Sequence, residues 1–215
     1  MRSIWGGRGS TRIVTSTLGV LVGLAGIEHG IFEVLQGNVT PEGPMIEAIG
    51  PGQRFWEYGT ETALTVVPSI FLSGILAICI GILVTVWAGA FVERRYGTSI
   101  LVLLSVTLWL VGGGFAPIFM TILAGLAGTR INRPVGWRGH LGGLLLSRLW
   151  PASMTAFVLV FVAGVEIAIF GYPLLWILDA DATYGVQLFL ALIMVVLMLV
   201  AVLSALAHDA QKSGE

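Results

Sequence analysis

The stretch SILVLLSVTLWLVGGGFAPIFMTILAGLAG, residues 99–128, decides how this chain is laid out. It is apolar throughout. As one straight helix it would reach about 45 Å, well beyond the roughly 30 Å of bilayer hydrocarbon. Its middle holds Gly112, Gly113, Gly114, Phe115, Ala116 and Pro117, a run that interrupts helical propagation. Two helices over 99–111 and 116–128, folded back as a hairpin, satisfy both facts. One kinked and tilted helix is the alternative, and it makes five spans. Non-helical backbone at membrane depth is tolerated only when buried in protein or lining a cavity, so the break belongs inside the bundle.

Charge favours the hairpin. Four other long apolar runs flank the stretch, at 13–35, 66–92, 152–175 and 185–207. Arg2, Arg8 and Arg12 precede the first run, Arg94 and Arg95 follow the second, and Arg130, Arg133, Arg138 and Arg148 precede the fourth. Arg54 stands alone in the first connection, and residues 173–184 carry Asp179 and Asp181 but no base. The positive-inside rule places the three arginine-bearing segments in the cytoplasm, so residues 99–128 must enter and leave on one side. Both termini are then cytoplasmic in a multi-pass protein of the cell membrane. The fold read from this is an all-α, polytopic membrane helix bundle: four long spans plus a central Gly/Pro-broken hairpin, six helices in one integral membrane domain over residues 1–215.

Composition agrees. The chain is 56% hydrophobic and 11% charged, against about 25% charged for soluble domains. The net charge of −1 gives no basis for a nucleic-acid partner. Three arginines before an apolar run resemble a signal peptide, but no A-x-A-like site follows, and the run is read as an uncleaved first span. The sole cysteine, Cys79, rules out an intrachain disulfide and is read as a small buried hydrophobe. Pro68 is expected to kink the second run between an outer stretch, 54–67, and the span proper, and Pro151 suits the first turn of the fourth. Gly19, Gly23, Gly26 and Gly30 fall near one line on the first helix, as do Gly74, Ala77, Gly81 and Ala88 on the second. Such stripes let helix backbones approach closely in lipid.

Against this apolar background the acids stand out. A carboxylate at the bilayer centre costs roughly 2.5–3.5 kcal/mol on insertion scales, so each must be paired, protonated or wetted. Glu28, His29 and Glu33 interrupt the first run, Glu166 sits in the fourth, and Glu57 and Glu61 precede Pro68. On the hairpin topology all of them fall in the outer half. Glu28 lies about 180° from Gly19 on the helical wheel, so if the stripe packs on a helix, Glu28 faces another helix or a cavity. His29 and Glu33 are one turn apart and can point at a common atom, and Glu57 and Glu61 share that spacing. Glu28, His29, Glu33, Glu61 and Glu166 form the expected cation- or proton-binding site, with Glu28 and Glu166 sharing one polar cavity. Nitrogen and carboxylate donors also suit a divalent metal, though the pattern lacks the second histidine of H-E-x-x-H, and no resident cofactor is expected.

Arg130, Arg133, Arg138 and Arg148 are expected to meet anionic lipid headgroups at the cytoplasmic face, each worth about 1 kcal/mol. No Walker loop, G-x-S-x-G elbow or C-x-x-C is present, which argues against an enzyme. The leading functional reading is a small transporter or channel-like protein with an acidic outer site for a cation or protons. A non-catalytic accessory subunit or lipid-binding scaffold is the alternative, and an enzyme acting on a lipid the second. Small size implies a homo-oligomer or a membrane partner subunit for the first.

Overall fold

The structure, a computed structural model, describes residues 9–131 and 141–212. Its helices are α1 (Ser10–Leu35), α2 (Ile70–Ala90), α3 (Gly97–Leu110), α4 (Ala116–Gly128), α5 (Leu141–Arg148), α6 (Trp150–Phe170) and α7 (Ala180–Lys212). A two-stranded antiparallel sheet, β1 (Met45–Glu47) with β2 (Thr62–Leu64), sits in the α1–α2 connection, Ile46 opposite Ala63. Helices α1, α2, α6 and α7 are long and apolar enough to cross a membrane. Large apolar side chains face outward along the bundle, among them Leu83, Leu103, Leu126, Leu159 and Leu192. Water would reject a surface so broadly apolar, whereas lipid tails accept it.

Residues 99–128 form the hairpin. Helices α3 and α4, of 14 and 13 residues, are each about 20 Å long, too short to cross a bilayer alone. The chain reverses between them with Gly112 and Gly114 at φ of 100° and 79°, backbone that glycine adopts without steric cost. Pro117 falls in the first turn of α4, where its missing N–H costs nothing. The arms lie antiparallel, so that a methyl group on Gly125 would meet Val102 at 2.9 Å and one on Gly128 would meet the Thr98 hydroxyl at 2.5 Å.

One end of the bundle gathers both ends of the described chain. Asp209, near the end of α7, accepts the backbone N–H groups of Ser10 and Thr11, each at 2.8 Å. It thereby satisfies two of the donors that every helix start leaves free, with a charge of the sign the helix dipole favours. The Ser10 hydroxyl bonds His208 at 2.6 Å. Arg12 Nε stands 2.5 Å from Glu93 Oε1 in the α2–α3 turn. Ser153 near the start of α6 bonds Ser204 of α7 at 3.1 Å, fixing that pair as antiparallel.

Helix α1 is the hub, packed against α2, α3, α4 and α7. Its small-residue stripe meets α2 backbone to backbone. A methyl on Gly23 would stand 2.6 Å from the Gly81 carbonyl, and one on Gly30 the same distance from that of Gly74. Gly26 turns instead toward Leu108 of α3. Around this axis the buried apolar core runs through Val14, Leu18, Val22, Val84, Leu101 and Phe157.

Several local expectations are revised. Pro68 bends no helix: α2 starts after it, with Ser69 as N-cap accepting the Leu72 N–H at 3.3 Å. Residues before it are extended or irregular, because β2 and its neighbours pair elsewhere. The fourth and fifth runs are helical over 150–170 and 180–212. Pro151 does lie in the first turn of α6. A seventh helix, α5, adds to the six expected. Cys79 is exposed on the face of α2 turned away from the core.

Candidate functional site

Residues 36–69 fold as a cap over the end of the bundle opposite Ser10 and Asp209. The Gln36 amide closes the end of α1 by donating to the carbonyls of Glu47, at 3.0 Å, and Ala48, at 2.7 Å. Aromatic side chains then fasten the cap to α6 and α7. The Trp56 indole N–H donates to the Ala168 carbonyl at 3.0 Å, one of the acceptors left free at the end of α6. Tyr58 donates to Asp181 at 2.5 Å and stacks on Tyr184 with ring centroids 4.8 Å apart. Phe55 packs on Phe170 at 4.7 Å. Trp56 is buried, and the contacts of the partly exposed Phe55 and Tyr58 with Phe170 and Tyr184 add to the hold on the cap.

The cap carries Glu61 down to α1, where its carboxylate forms an ion-paired hydrogen bond with His29 Nε2. Glu28 Oε2 stands 3.6 Å from the same nitrogen. Donor atoms of Glu28, His29 and Glu61 all lie within 4.8 Å of one another. His29 is buried, at 2% exposure. Burial alone would raise the Glu61 carboxyl, but the charge and hydrogen bond of His29 outweigh it and hold the group below its usual value.

Beneath this triad lies a cavity of about 370 Å³ between α1, α4, α6 and α7. Its wall is mostly apolar: Leu24, Met120, Phe161, Leu190 and Met194 set its character. Polar atoms gather at the triad and at Gln187. Glu28 Oε1 and Gln187 Oε1 are buried there without a hydrogen-bond partner among the described residues. Leu24 is 49% exposed, so the cavity reaches the side of the bundle. That mouth is about 21 Å along α1 from Ser10, near mid-length of a helix of about 39 Å.

The tip of the hairpin closes the other side of the triad. The Gly112 N–H donates to the Leu64 carbonyl at 2.8 Å and the Val66 N–H to that of Leu110 at 3.0 Å, so hairpin and cap are stitched together. A methyl on Gly112 would collide with the Glu33 carboxylate, and one on Gly114 with the His29 ring. Glu33 is fully buried under this tip. The neighbouring Ser73 hydroxyl is engaged with Thr65 and the Val111 carbonyl, at 2.8 and 2.9 Å.

The expected site residues therefore separate. Glu28, His29 and Glu61 come together. Glu33 points to the hairpin tip, so it and His29 do not converge on one atom. Glu166 is exposed, although Gly164, Val165 and Ala168 of the same helix line the cavity; a rotation of about 100° per residue turns it outward. It lies one turn from the end of α6, within reach of an interface, and shares no cavity with Glu28. Glu57 is exposed, and the one-turn spacing with Glu61 has no meaning in a segment that is not helical. Arg130 and Arg148 are exposed at the end opposite the cap, while Arg133 and Arg138 lie outside the described residues. Gln187 escaped the sequence reading; a polar side chain inside the run 185–207 was its available signal. Searched against protein-family models, curated proteins and solved structures, the chain finds no match in any of the three.

Proposed function

We propose that this protein binds an amphipathic molecule drawn from the bilayer, holding its polar group at Glu28, His29 and Glu61 and its hydrocarbon in the adjoining cavity. The observation that carries this reading is the cavity's asymmetry: apolar walls, one polar end, and a mouth at Leu24 on the side of the bundle. Its volume of about 370 Å³ falls in the range of roughly 300–1,000 Å³ typical of ligand pockets. An ion or proton alone would need neither that volume nor those walls. Among the alternatives weighed on sequence, this favours a lipid-binding scaffold or lipid-directed protein over a channel.

Gly164 offers a test, because it lines the cavity and a Cβ added there would meet nothing within 4 Å. Gly164→Leu should fill the cavity without disturbing the fold. Native mass spectrometry of protein extracted in mild detergent should show co-purifying lipid on wild type and little on Gly164→Leu. Equal lipid occupancy on both, at equal thermal stability, overturns the reading.

A second reading, a small transporter handling a cation or protons, is favoured by the row of ionisable groups from Glu28 and Glu61 through His29 to Glu33. Flux into proteoliposomes, wild type against Glu61→Gln, decides it. The arrangement in the cell membrane follows from charge. Arg12, Arg94, Arg95, Arg130, Arg148 and Lys212 lie at the end opposite the cap, which itself carries Arg54 alone of the described basic residues. That end, with both termini, is assigned to the cytoplasm and to anionic lipids, the cap to the outside. In a variant lacking Cys79, Glu42→Cys should label with an impermeant reagent in intact cells and Thr129→Cys should not.

A further inference from the structure

We infer that Glu28, His29 and Glu61 form a binding site for one first-row divalent metal ion of the zinc or manganese class. The donors are one imidazole nitrogen and two carboxylates from separate segments, α1 and the cap. Ligand atoms around a tetrahedral ion bound at about 2.1 Å stand roughly 3.4 Å apart. The His29–Glu28 separation of 3.6 Å already matches that, whereas Glu61, now hydrogen-bonded directly to His29, would have to turn aside to admit the ion. A mixed nitrogen and oxygen set suits Zn²⁺, Mn²⁺ or Fe²⁺, and is poorer for the all-oxygen cations Ca²⁺ and Mg²⁺.

Two further observations point to an occupant. His29 is 2% exposed, and two carboxyl groups converge on its Nε2, so an imidazole and two carboxyl ligands surround one point. Glu28 Oε1 and Gln187 Oε1, on two residues that line the same cavity, are buried with no hydrogen-bond partner among the described residues. An unmatched buried acceptor is costly, and a cation held at the triad would satisfy the free oxygen of Glu28. Three protein ligands leave a coordination position open toward the cavity. Resting on the amphipath reading, this adds its headgroup class: an anionic oxygen, phosphate or carboxylate, that completes the metal's shell.

The test uses full-length protein in detergent, stripped with chelator, then titrated with Zn²⁺ or Mn²⁺ and followed by calorimetry and elemental analysis after desalting. Wild type and Glu166→Gln, whose acid is exposed and off the site, should retain metal stoichiometrically. Glu28→Gln and Glu61→Gln should bind at least about tenfold more weakly while keeping a cooperative melt. Glu28→Gln, at a partly exposed side chain, guards against misfolding at Glu61. Gly164→Leu should lose lipid and keep metal, which separates failure of this site from failure of the cavity reading. No metal retained by wild type, or equal affinity in wild type and both variants, overturns the inference.

Discussion

Gly114 lies against the imidazole of His29, so close that a methyl group there would stand 2.8 Å from Nδ1. The hairpin tip is thus the back wall of the Glu28–His29–Glu61 cluster, and its glycines serve both the turn and the site.

Gly112→Ala and Gly114→Ala should each destabilise the protein. A left-handed backbone costs a non-glycine residue roughly 1–2 kcal/mol before any clash is counted. With the collision against Glu33 or His29 added, a loss of about 2–4 kcal/mol is expected. Gly43→Ala, where a methyl meets nothing within 4 Å and φ is not positive, is the control. Thermal melts in detergent check this; equal midpoints for all three would remove the hairpin tip from the core.

Gly23→Ala should weaken the α1–α2 contact, since the added carbon would lie 2.6 Å from a carbonyl oxygen and 2.7 Å from an amide nitrogen, neither free to move. Overpacking of this kind costs typically about 1–3 kcal/mol, and Gly23→Leu should do worse. Gly89→Ala, facing open space on α2, should leave the melting point unchanged. A drop at Gly89 equal to that at Gly23 would mean that the close α1–α2 contact is not what is being measured, since alanine is the better helix former.

Glu28→Gln and Glu166→Gln should act independently. The sequence suggested a shared cavity and therefore coupling, but Glu166 is exposed and lines no part of the cavity. Separate sites add to within about 0.3–0.5 kcal/mol in a double-mutant cycle. Glu28→Gln paired with Glu61→Gln should exceed that. A large interaction energy between Glu28 and Glu166 would contradict the outward facing of Glu166.

Tyr58 should ionise late. Its hydrogen bond to Asp181, then the charge of that carboxylate, favours the neutral phenol and raises its pKa from 10.0 to about 12. With the folded value raised, the contribution to stability is complete below the unfolded value near 10 and disappears as pH climbs through about 12. Absorbance titration of the four tyrosines should show one late phenol in wild type that moves earlier in Asp181→Asn. Identical titration curves would show that the cap is not tied to α7 through this bond.

The layout of helices was legible because its causes are local. Apolar runs long enough to cross hydrocarbon, a Gly112–Pro117 break in a run too long for one span, and arginines concentrated, Arg54 apart, in alternate connections each act over a few residues. The glycine stripe on α1 was legible for the same reason: helical periodicity alone puts Gly19, Gly23 and Gly30 on one side and Glu28 opposite, where the structure has the cavity.

The site itself was decided by packing between distant segments. The pairing of Glu61 with His29 depends on a cap that is not helical, held by Trp56 on Ala168 and Tyr58 on Asp181, contacts between residues more than a hundred positions apart. The i, i+4 spacing that joins His29 to Glu33 is real on α1, yet the close-packed tip at Gly112 and Gly114 divides them. Depth along a helix can be counted from sequence, and it put Glu166 near the right level. Rotation about the helix axis cannot, because it is set by which face of α6 packs against α7. That rotation turns Gly164 and Ala168 inward and Glu166 out.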